Sequence, residues 1–249
     1  MMLQRIRLPL ILVLCGLVLP SLTLTRKYVR KNTFRRPKSC LEFLKLGYNT
    51  DGYYLIHIKN SALTVYCDMN SEAGSAWTLI MSYALENIKM KQFKRNPLQA
   101  NAPVNALSPN WNTYRMALSE IKHLASVSTH WRATCDFPKY GVDYTDYVRA
   151  RFSDFNIMKY LSNGGYCKKV EYVDIRGNRC AHCTTRWWQK IGARSPHMVS
   201  GYSGCQFNGQ RGSVRAEDNF NYYDDYNKKF RCSSSPKATT NWWFGGYLP

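Results

Sequence analysis

The chain has 249 residues, of which 45% are hydrophobic and 14% aromatic, enough for one large domain or two small ones with a packed core. This composition excludes an intrinsically disordered chain. Lys and Arg number 35 against 16 Asp and Glu, a formal net charge of +19. Such an excess predicts an acidic partner, which could be nucleic acid, a sulfated glycan, an anionic membrane or an acidic matrix.

The N-terminal residues indicate the compartment. Arg5 and Arg7 precede the apolar run LPLILVLCGLVLP, which is followed by small residues. This order is typical of a secretory signal peptide over residues 1–25, because a membrane span would need roughly 20 apolar residues. An uncleaved signal anchor is the alternative. Secretion makes nucleic acid an unexpected partner, and we expect no membrane span after signal cleavage.

Residues 26–39 form a basic arm. Removal of residues 1–25 would delete two Arg and no acids, which lowers the charge from +19 to +17, and seven of these charges lie in the arm. The arm is either a flexible solvated tail, a segment removed at basic sites, or an anchor for a heparin-like or acidic matrix polyanion. The candidate polyanion-binding residues are Arg26, Lys27, Arg30, Lys31, Arg35, Arg36 and Lys38.

The cysteines predict a disulfide framework. Of the nine Cys, Cys15 lies in the signal peptide, and the even number that remains in a secreted chain implies up to four bridges of undetermined pairing. The motif CAHC, Cys180 to Cys183 with His182, could bind zinc or support redox chemistry, but we expect both cysteines to form disulfides with distant partners. The eight candidates are Cys40, Cys67, Cys135, Cys167, Cys180, Cys183, Cys205 and Cys232.

The first predicted elements are strands. Residues 53–59, 63–69 and 77–83 are short β-branched or aromatic runs separated by turn-like residues, and they predict a three-stranded antiparallel unit. Within this unit Cys40 and Cys67 are well placed to link the loop before the first strand to the second strand. No N-glycosylation sequon is present in the chain.

The central elements alternate between loop, helix and strand. Residues 86–110 are polar and contain three prolines, which predicts a long surface loop. Leu118, Ile121 and Ala125 then recur at the spacing of a short amphipathic helix.

Strands are predicted after this helix. Val148, Ala150 and Phe152 alternate with Arg149 and Arg151, a pattern typical of a half-buried strand. The segments THWRATCDF and KKVEYVDIRG are further strand candidates. From about residue 178 the chain is rich in Gly, Ser, Cys and aromatic residues, so we predict a loop-rich region held by disulfides.

The segment SCLEFLKLGYNTDGYYLIHIKNSALTVYCDMNSEAGSAWTLIMSY resembles the start of a fibrinogen C-terminal (fibrinogen-related) domain. That family begins with a Cys, continues through a Gly-x-Tyr-x-Ile strand to a VYCDM strand, and enters the next strand at GWT-x-I. The central strands and the helix near residue 118 are similar to that family as well. The matching positions are Cys40, Gly52, Tyr54, Ile56, Val65, Tyr66, Cys67, Asp68, Met69, Trp77, Thr78 and Ile80.

The resemblance implies an α+β fibrinogen-like domain over residues 40–249. It would have a small disulfide-stapled N-terminal β subdomain, a central antiparallel sheet with short helices, and a loop-rich, disulfide-held C-terminal region. Residues 176–249 are atypical, because the family's calcium loop, which supports an acetyl-group pocket in lectin-like members, does not occur as such. Their tail resembles secreted cnidarian members, including stony-coral skeletal organic matrix proteins.

The sequence offers few groups for chemistry. None of the five His residues lies in a catalytic motif, so we expect no enzyme. Four acids near the C-terminus are either a weak calcium site, the only cofactor we consider, or a solvated acidic turn. The aromatic pairs at Trp187 and Trp242 could stack on sugars but are more typical of core. The four acids are Glu217, Asp218, Asp224 and Asp225.

Charge and resemblance together predict a non-catalytic binding protein of the extracellular matrix. Its partners would be acidic matrix proteins or anionic polysaccharides, plausibly in a calcified skeletal organic matrix. The alternative is a calcium-dependent, lectin-like protein that recognises glycans. A soluble receptor ligand of the angiopoietin-like kind fits less well, because residues 26–39 are too short and too charged for a coiled coil.

Overall fold

The computed structural model describes residues 36–200 and 204–249. The predicted signal peptide, the basic arm as far as Arg35 and the short segment 201–203 lie outside the described residues. The strands are β1 (Gly52–Ile58), β2 (Ser61–Asp68), β3 (Ser75–Ala84), β4 (Thr113–Arg115), β5 (His130–Cys135), β6 (Tyr147–Arg151), β7 (Tyr166–Ile175), β8 (Asn178–Lys190), β9 (Arg194–Val199), β10 (Asp218–Asn219) and β11 (Thr239–Tyr247).

These strands form one antiparallel sheet. Its order is β1–β2–β3–β11–β5–β6–β7–β8–β9–β10, and β4 pairs with β3 beside this path. The helices are short: α1 (Cys40–Lys45), α2 (Lys91–Lys94), α3 (Leu118–Val127) and α4 (Phe137–Tyr140), with 3-10 turns at Leu85–Asn87 and Arg231–Ser233. The predicted antiparallel sheet with short helices is therefore confirmed. No helix in the described part of the chain is long and apolar enough to cross a membrane.

The three predicted N-terminal strands are present, but they do not form a separate subdomain. β1, β2 and β3 pair in antiparallel register, and Cys40 of α1 lies 1.96 Å from Cys67 of β2, sulfur to sulfur. β3 also pairs along its length with β11, and every residue of β3 is buried. The three strands are thus one end of the large sheet, because β3 buries both of its edges against neighbours.

The C-terminal region is more regular than the sequence predicts. Residues 176–249 include the 13-residue strand β8 and the nine-residue strand β11, so the prediction of a loop-rich region is wrong for these segments. In β8 the inward-facing positions include the polar residues Thr185 and Gln189 as well as Trp187. Because some inward-facing residues are polar, the alternation of apolar and polar residues that is typical of a strand is not visible in the sequence. β11 reads as a short apolar run with no alternation, because it is buried on both faces.

The predicted central loop, helix and strand can also be compared with the structure. The segment 86–110 contains α2 and buries Phe93 and Leu98, so it is a packed connection and not only a surface loop. α3 occupies the predicted helix and buries Ile121 and Leu124. β6 keeps the predicted alternation, with Val148 buried and Arg151 exposed.

The core is built from tryptophans of strands that are distant in sequence. The rings of Trp131 and Trp242 stack with centroids 5.6 Å apart, and Trp187 meets Trp131 edge-on at 5.3 Å. β11 can pass close to β3 because it has a glycine at the contact: a Cβ at Gly245 would lie 2.1 Å from the carbonyl oxygen of Ala76. Any side chain there would force the two strands apart.

A fully buried arginine lies beside this core. Arg132 of β5 forms ion pairs with Asp68, at the end of β2, and with Glu72, where the nitrogen-to-oxygen distance is 2.7 Å. Its guanidinium lies between the rings of Trp77 and Trp243, 4.5 and 5.1 Å from their centroids. Burial alone would raise the pKa of Asp68, but the charge and hydrogen bond of Arg132 lower it below its usual value.

Glu72 connects this pair to the next strand. Its Oε1 accepts hydrogen bonds from the Tyr147 hydroxyl at 2.7 Å and from Arg149 Nη1 at 2.8 Å. Glu72 is only 3% exposed, so water cannot replace the lost charge if the carboxylate is removed.

We predict that Glu72→Gln destabilises the fold by about 3 kcal/mol, since it leaves Arg132 buried with one partner fewer. Chemical denaturation should show a lower midpoint with an unchanged slope. The matched control is Glu86→Gln, which removes an exposed carboxylate and should leave the midpoint near that of the parent chain. Equal midpoints for the two variants would contradict the role given to Glu72.

Candidate functional site

Two cavities flank the turn between β7 and β8. This turn has only two residues, Arg176 and Gly177, and both have positive φ, at 54° and 77°. Positive φ at both central residues is what a two-residue hairpin loop of type I′ requires, and Asn, Asp or Gly usually fills both positions. An arginine held in this conformation indicates that its surroundings fix it there.

Arg176 is held by the segment that precedes β10. Its guanidinium pairs with Glu217 and donates hydrogen bonds to the carbonyl oxygens of Gly209, at 2.9 Å, and Arg211, at 3.0 Å. Its side chain is 6% exposed. The turn and the 209–212 segment are therefore fixed relative to each other.

The first cavity, which we call the tyrosine groove, has a volume of about 570 Å³. Tyr144, Tyr172, Arg149, Arg179 and His182 contribute to its lining. The rings of Tyr144 and Tyr172 lie edge to face, with centroids 5.9 Å apart, and Tyr144 is 41% exposed. Exposed aromatic faces beside polar groups suit the stacking of a sugar ring.

The acids of the tyrosine groove are already paired. Glu171 accepts hydrogen bonds from Arg149 Nε at 2.9 Å and from Arg151 Nε at 2.7 Å. Burial would raise the pKa of Glu171, but the hydrogen bond from Arg151 and the charges of His130 and Arg149 lower it. Glu171 therefore stays ionised, and the neighbouring arginines compensate its negative charge.

The other two acids at the groove are engaged as well. Asp143 forms an ion pair with Arg231 at 2.8 Å, and Asp174 accepts the backbone N–H groups of Asp146 and Gly177. Arg179, by contrast, is exposed and has no ion-pair partner among residues 36–200 and 204–249. The groove therefore offers a free cation beside two tyrosine rings.

The second cavity, which we call the basic cleft, lies on the other side of the turn. It has a volume of about 360 Å³, and its lining residues are Arg176, Gly177, Asn178, Arg211, Gly212 and Lys229. Gly177 lines both cavities. The cleft contains three cationic side chains and no carboxylate in its lining, so it attracts anions.

The structure does not bring the four candidate calcium ligands together as one set. Glu217 is buried and accepts from Asn219 Nδ2 at 2.9 Å and Asn227 Nδ2 at 2.8 Å, in addition to Arg176. The exposed Asp224 pairs with Lys94 at 2.7 Å, and Asp225 is exposed. Among the residues that the structure describes, no group of three or more His, Cys, Asp or Glu is placed to hold a metal ion.

Asp218 has a different environment from the other acids. It is 7% exposed, and its carboxylate oxygen lies 3.4 Å from Nε2 of the fully buried His197. Burial and the charge of Asp224 raise the pKa of Asp218 to about 8, and burial lowers the pKa of His197 to about 3. Both groups are mainly uncharged near pH 7. The interpretation of the four acids as a solvated turn is wrong for Glu217 and Asp218, because both residues are buried.

The cysteines form four pairs. Two distant pairings, Cys135–Cys232 and Cys167–Cys205, agree with the expected framework. The expectation of distant partners is wrong for Cys180 and Cys183, which pair with each other. His182 between them has a φ of 50°, which shortens the strand so that the two Cα atoms lie 6.2 Å apart. Both sulfurs are engaged in this pair.

The remaining candidates fall into two classes. Trp187 and the 242–244 cluster are buried, which confirms the interpretation as core, whereas Trp188 is half-buried and stacks on Arg194 at 4.0 Å. Of the seven arm residues, the structure describes only Arg36 and Lys38, which are exposed. The other five, Arg26, Lys27, Arg30, Lys31 and Arg35, lie outside the described residues.

Sequence reasoning missed the two cavities. Their cations come from segments that are separated along the chain, and side chains at exposed turns carry no periodic pattern. One signal was available: Gly177 ends the candidate strand KKVEYVDIRG, and glycine at the end of a strand indicates a turn. That signal would have placed Arg176 in a turn.

We predict that Asp218→Asn gains stability relative to the parent chain as the pH rises. The pKa of Asp218 is raised from 3.8 to about 8 in the folded state, so its favourable contribution is fully present below pH 3.8 and is lost as the pH rises through 8. The difference in free energy of unfolding between the two chains should therefore change steadily between pH 5 and pH 8, as denaturant titrations at each pH would show. Asp225→Asn, a change at an exposed acid, should give a flat difference, and a flat difference for Asp218→Asn would contradict the assignment.

Comparison with known proteins gives no relative for this chain. A scan against models of protein families finds no match, and a search of curated proteins finds no similar sequence. The resemblance of residues 39–83 to a family therefore stays a prediction from the sequence.

Proposed function

We propose that this chain is a secreted, non-catalytic binding protein with a fibrinogen-like domain. In this proposal it belongs to an extracellular matrix, plausibly the organic matrix of a calcified skeleton, and attaches to acidic polysaccharides or acidic proteins. The resemblance of residues 39–83 supports the family, together with three paired strands and the Cys40–Cys67 link at the expected places. Four cysteine pairs are consistent with an oxidising compartment.

The observation that carries the proposal is the tyrosine groove with its free cation. A sugar ring can stack on Tyr144 or Tyr172, while the guanidinium of Arg179 binds a carboxylate or sulfate on the same sugar. The acids at the groove do not oppose this binding, because Arg149, Arg231 and backbone N–H groups already engage them.

The distribution of charge favours the same ligand class. All 16 acidic residues and 28 of the 35 basic residues lie in the described ranges, and several of these acids are buried in ion pairs. The described residues therefore carry a formal net charge of +12 without the rest of the arm, and the field of such a charge increases the encounter rate with polyanions.

The calcium-dependent lectin is the alternative from the sequence. It is less well supported, because Glu217 is surrounded by hydrogen-bond donors and no three possible metal ligands come together among the described residues. Glycan binding without calcium is compatible with the tyrosine groove.

We predict that the full chain binds a heparin-type resin and that Arg179→Gln elutes at lower salt. Loss of one exposed cation should weaken binding by about 1 kcal/mol, roughly fivefold. Tyr172→Ala should also weaken binding but leave its dependence on salt concentration nearly unchanged, because stacking is not screened by ions.

The matched control is Lys122→Gln, which removes an exposed lysine of α3 and should elute with the parent chain. Binding that survives about 1 M NaCl would contradict a mainly electrostatic attachment, because the screening length there is only about 3 Å. Equal elution of Arg179→Gln and Lys122→Gln would place the binding surface elsewhere.

A further inference from the structure

We propose that the basic cleft is a binding site for a tetrahedral oxyanion, such as the sulfate group of a sulfated polysaccharide. The inference rests on the proposed function only for the source of the anion. A free inorganic oxyanion would meet the same protein groups.

The lining of the cleft selects for negative charge. Its three charged residues, Arg176, Arg211 and Lys229, are all cationic, and the rest of the lining is Gly177, Asn178 and Gly212. Arg211 and Lys229 are exposed and form no ion pair within the described residues. Glu217 compensates the charge of Arg176, so the uncompensated cations are Arg211 and Lys229, and an anion between them relieves their repulsion.

One hydrogen-bond donor in the cleft has no acceptor in the protein. The Nη1 of Arg176 pairs with Glu217, and its Nη2 donates to two backbone carbonyl groups. The Nε of Arg176 is buried and has no hydrogen-bond partner in the described structure. The Nε atoms of Arg115 and Arg132 are unpartnered as well, but Arg176 also lines the basic cleft, where a bound anion can supply the acceptor.

Gly212 leaves room for such a ligand. A Cβ built on Gly212 would lie 3.8 Å from Arg176 Nε, so the space beside this N–H group is free of side-chain atoms of residue 212. The φ of Gly212 is 70°, a conformation that a residue with a side chain rarely adopts. A side chain at position 212 would therefore contact Arg176 next to Nε.

The walls of the cleft are fixed before any ligand arrives. Asn178 Nδ2 donates to the carbonyl oxygen of Asn208 at 2.9 Å, and Asn227 Nδ2 donates to that of Gly212 at 2.9 Å. Arg176 joins the turn to the same segment through Gly209 and Arg211. A site that is already ordered loses little entropy when it binds.

The chemistry of the three cations favours an anion with several oxygens. Glu217 and two backbone carbonyl groups take three of the five N–H donors of Arg176, and its Nε–H is among those that remain. Arg211 offers a planar fork and Lys229 a point charge with three donors. Sulfate or phosphate has enough oxygens to accept from all three. Since Gly177 lines both cavities, a polysaccharide with a sugar in the tyrosine groove could place a sulfate in the cleft.

The test is a calorimetric titration of the full chain with sodium sulfate at constant ionic strength, balanced with sodium chloride. We expect saturable binding that weakens about tenfold in Arg211→Gln and in Lys229→Gln, because each removes one charge-assisted hydrogen bond. Both side chains are exposed, so these variants should fold. Lys122→Gln is the matched control and should bind as the parent chain does.

A second readout locates the site. Amide resonances of Gly177 and Gly212 should shift on addition of sulfate, and in Lys229→Gln the same shifts should require about tenfold more sulfate. The absence of saturable sulfate binding to the full chain would overturn the proposal. So would binding of equal strength in Lys229→Gln and Lys122→Gln, which would indicate a general salt effect.

Sulfated and desulfated oligosaccharides of the heparin type separate the possible sources. If the cleft takes a polysaccharide sulfate, Lys229→Gln should weaken binding of the sulfated oligosaccharide as much as binding of sulfate, and desulfation should abolish the effect. A failure of the proposed function would look different: the oligosaccharide would not bind, or Tyr172→Ala would not weaken it, while inorganic sulfate still bound in the cleft.

Discussion

The buried guanidinium of Arg132 is the interaction on which the rest of the structure depends. It has 0% exposure and lies between two tryptophan rings, so its charge has no access to water. Such a charge is tolerated only when groups of the protein compensate for the lost water, and here these are carboxylates and π-systems. Asp68 and Glu72 supply the carboxylates. Asp68 is the last residue of β2, and Glu72 lies in the turn that follows it. The central strand β5 is thereby tied to the N-terminal hairpin by charge as well as by packing.

The same network continues towards the candidate site. Glu72 binds Arg149 of β6, Arg149 binds Glu171 of β7, and Glu171 binds Arg151. Positive and negative groups alternate along this path, and each inner member has two opposite partners, so the loss of one member leaves another uncompensated. The network pairs three carboxylates with the three arginines Arg132, Arg149 and Arg151, so it adds no net charge. The basic surface, which includes Arg179, results from the excess of basic over acidic residues in the chain.

Parts of the fold that depend on local pattern could be predicted from the sequence. Strands β1 to β3 are short β-branched or aromatic runs bounded by turn residues, and β6 alternates clearly, so their type follows from local pattern. β8 and β11 could not be predicted. In β8, Thr185 and Gln189 occupy buried positions where an apolar residue would have shown the period. For β11, no local feature indicates that its neighbours are β3 and β5, because pairing between distant strands is set by the whole sheet.

The candidate site was harder to predict than the fold, for a related reason. Arg176, Arg211 and Lys229 are far apart in sequence, and the ion pair between Arg176 and Glu217 brings their segments together. In the sequence, Glu217 instead looks like part of an acidic cluster with Asp218. Only the three-dimensional arrangement shows that one acid neutralises an arginine and that its neighbour is buried, which raises the pKa of its carboxyl group.

The central position of β11 has a consequence for synthesis of the chain. β3 and β5 are both made before β11, yet neither can complete its pairing until β11 arrives between them. The nascent polypeptide therefore exposes two open strand edges, which are prone to pair with other chains. The Cys135–Cys232 bridge spans 97 residues and cannot form before the segment next to β11 has been synthesised. Oxidation of this pair thus reports that the two halves of the sheet have joined.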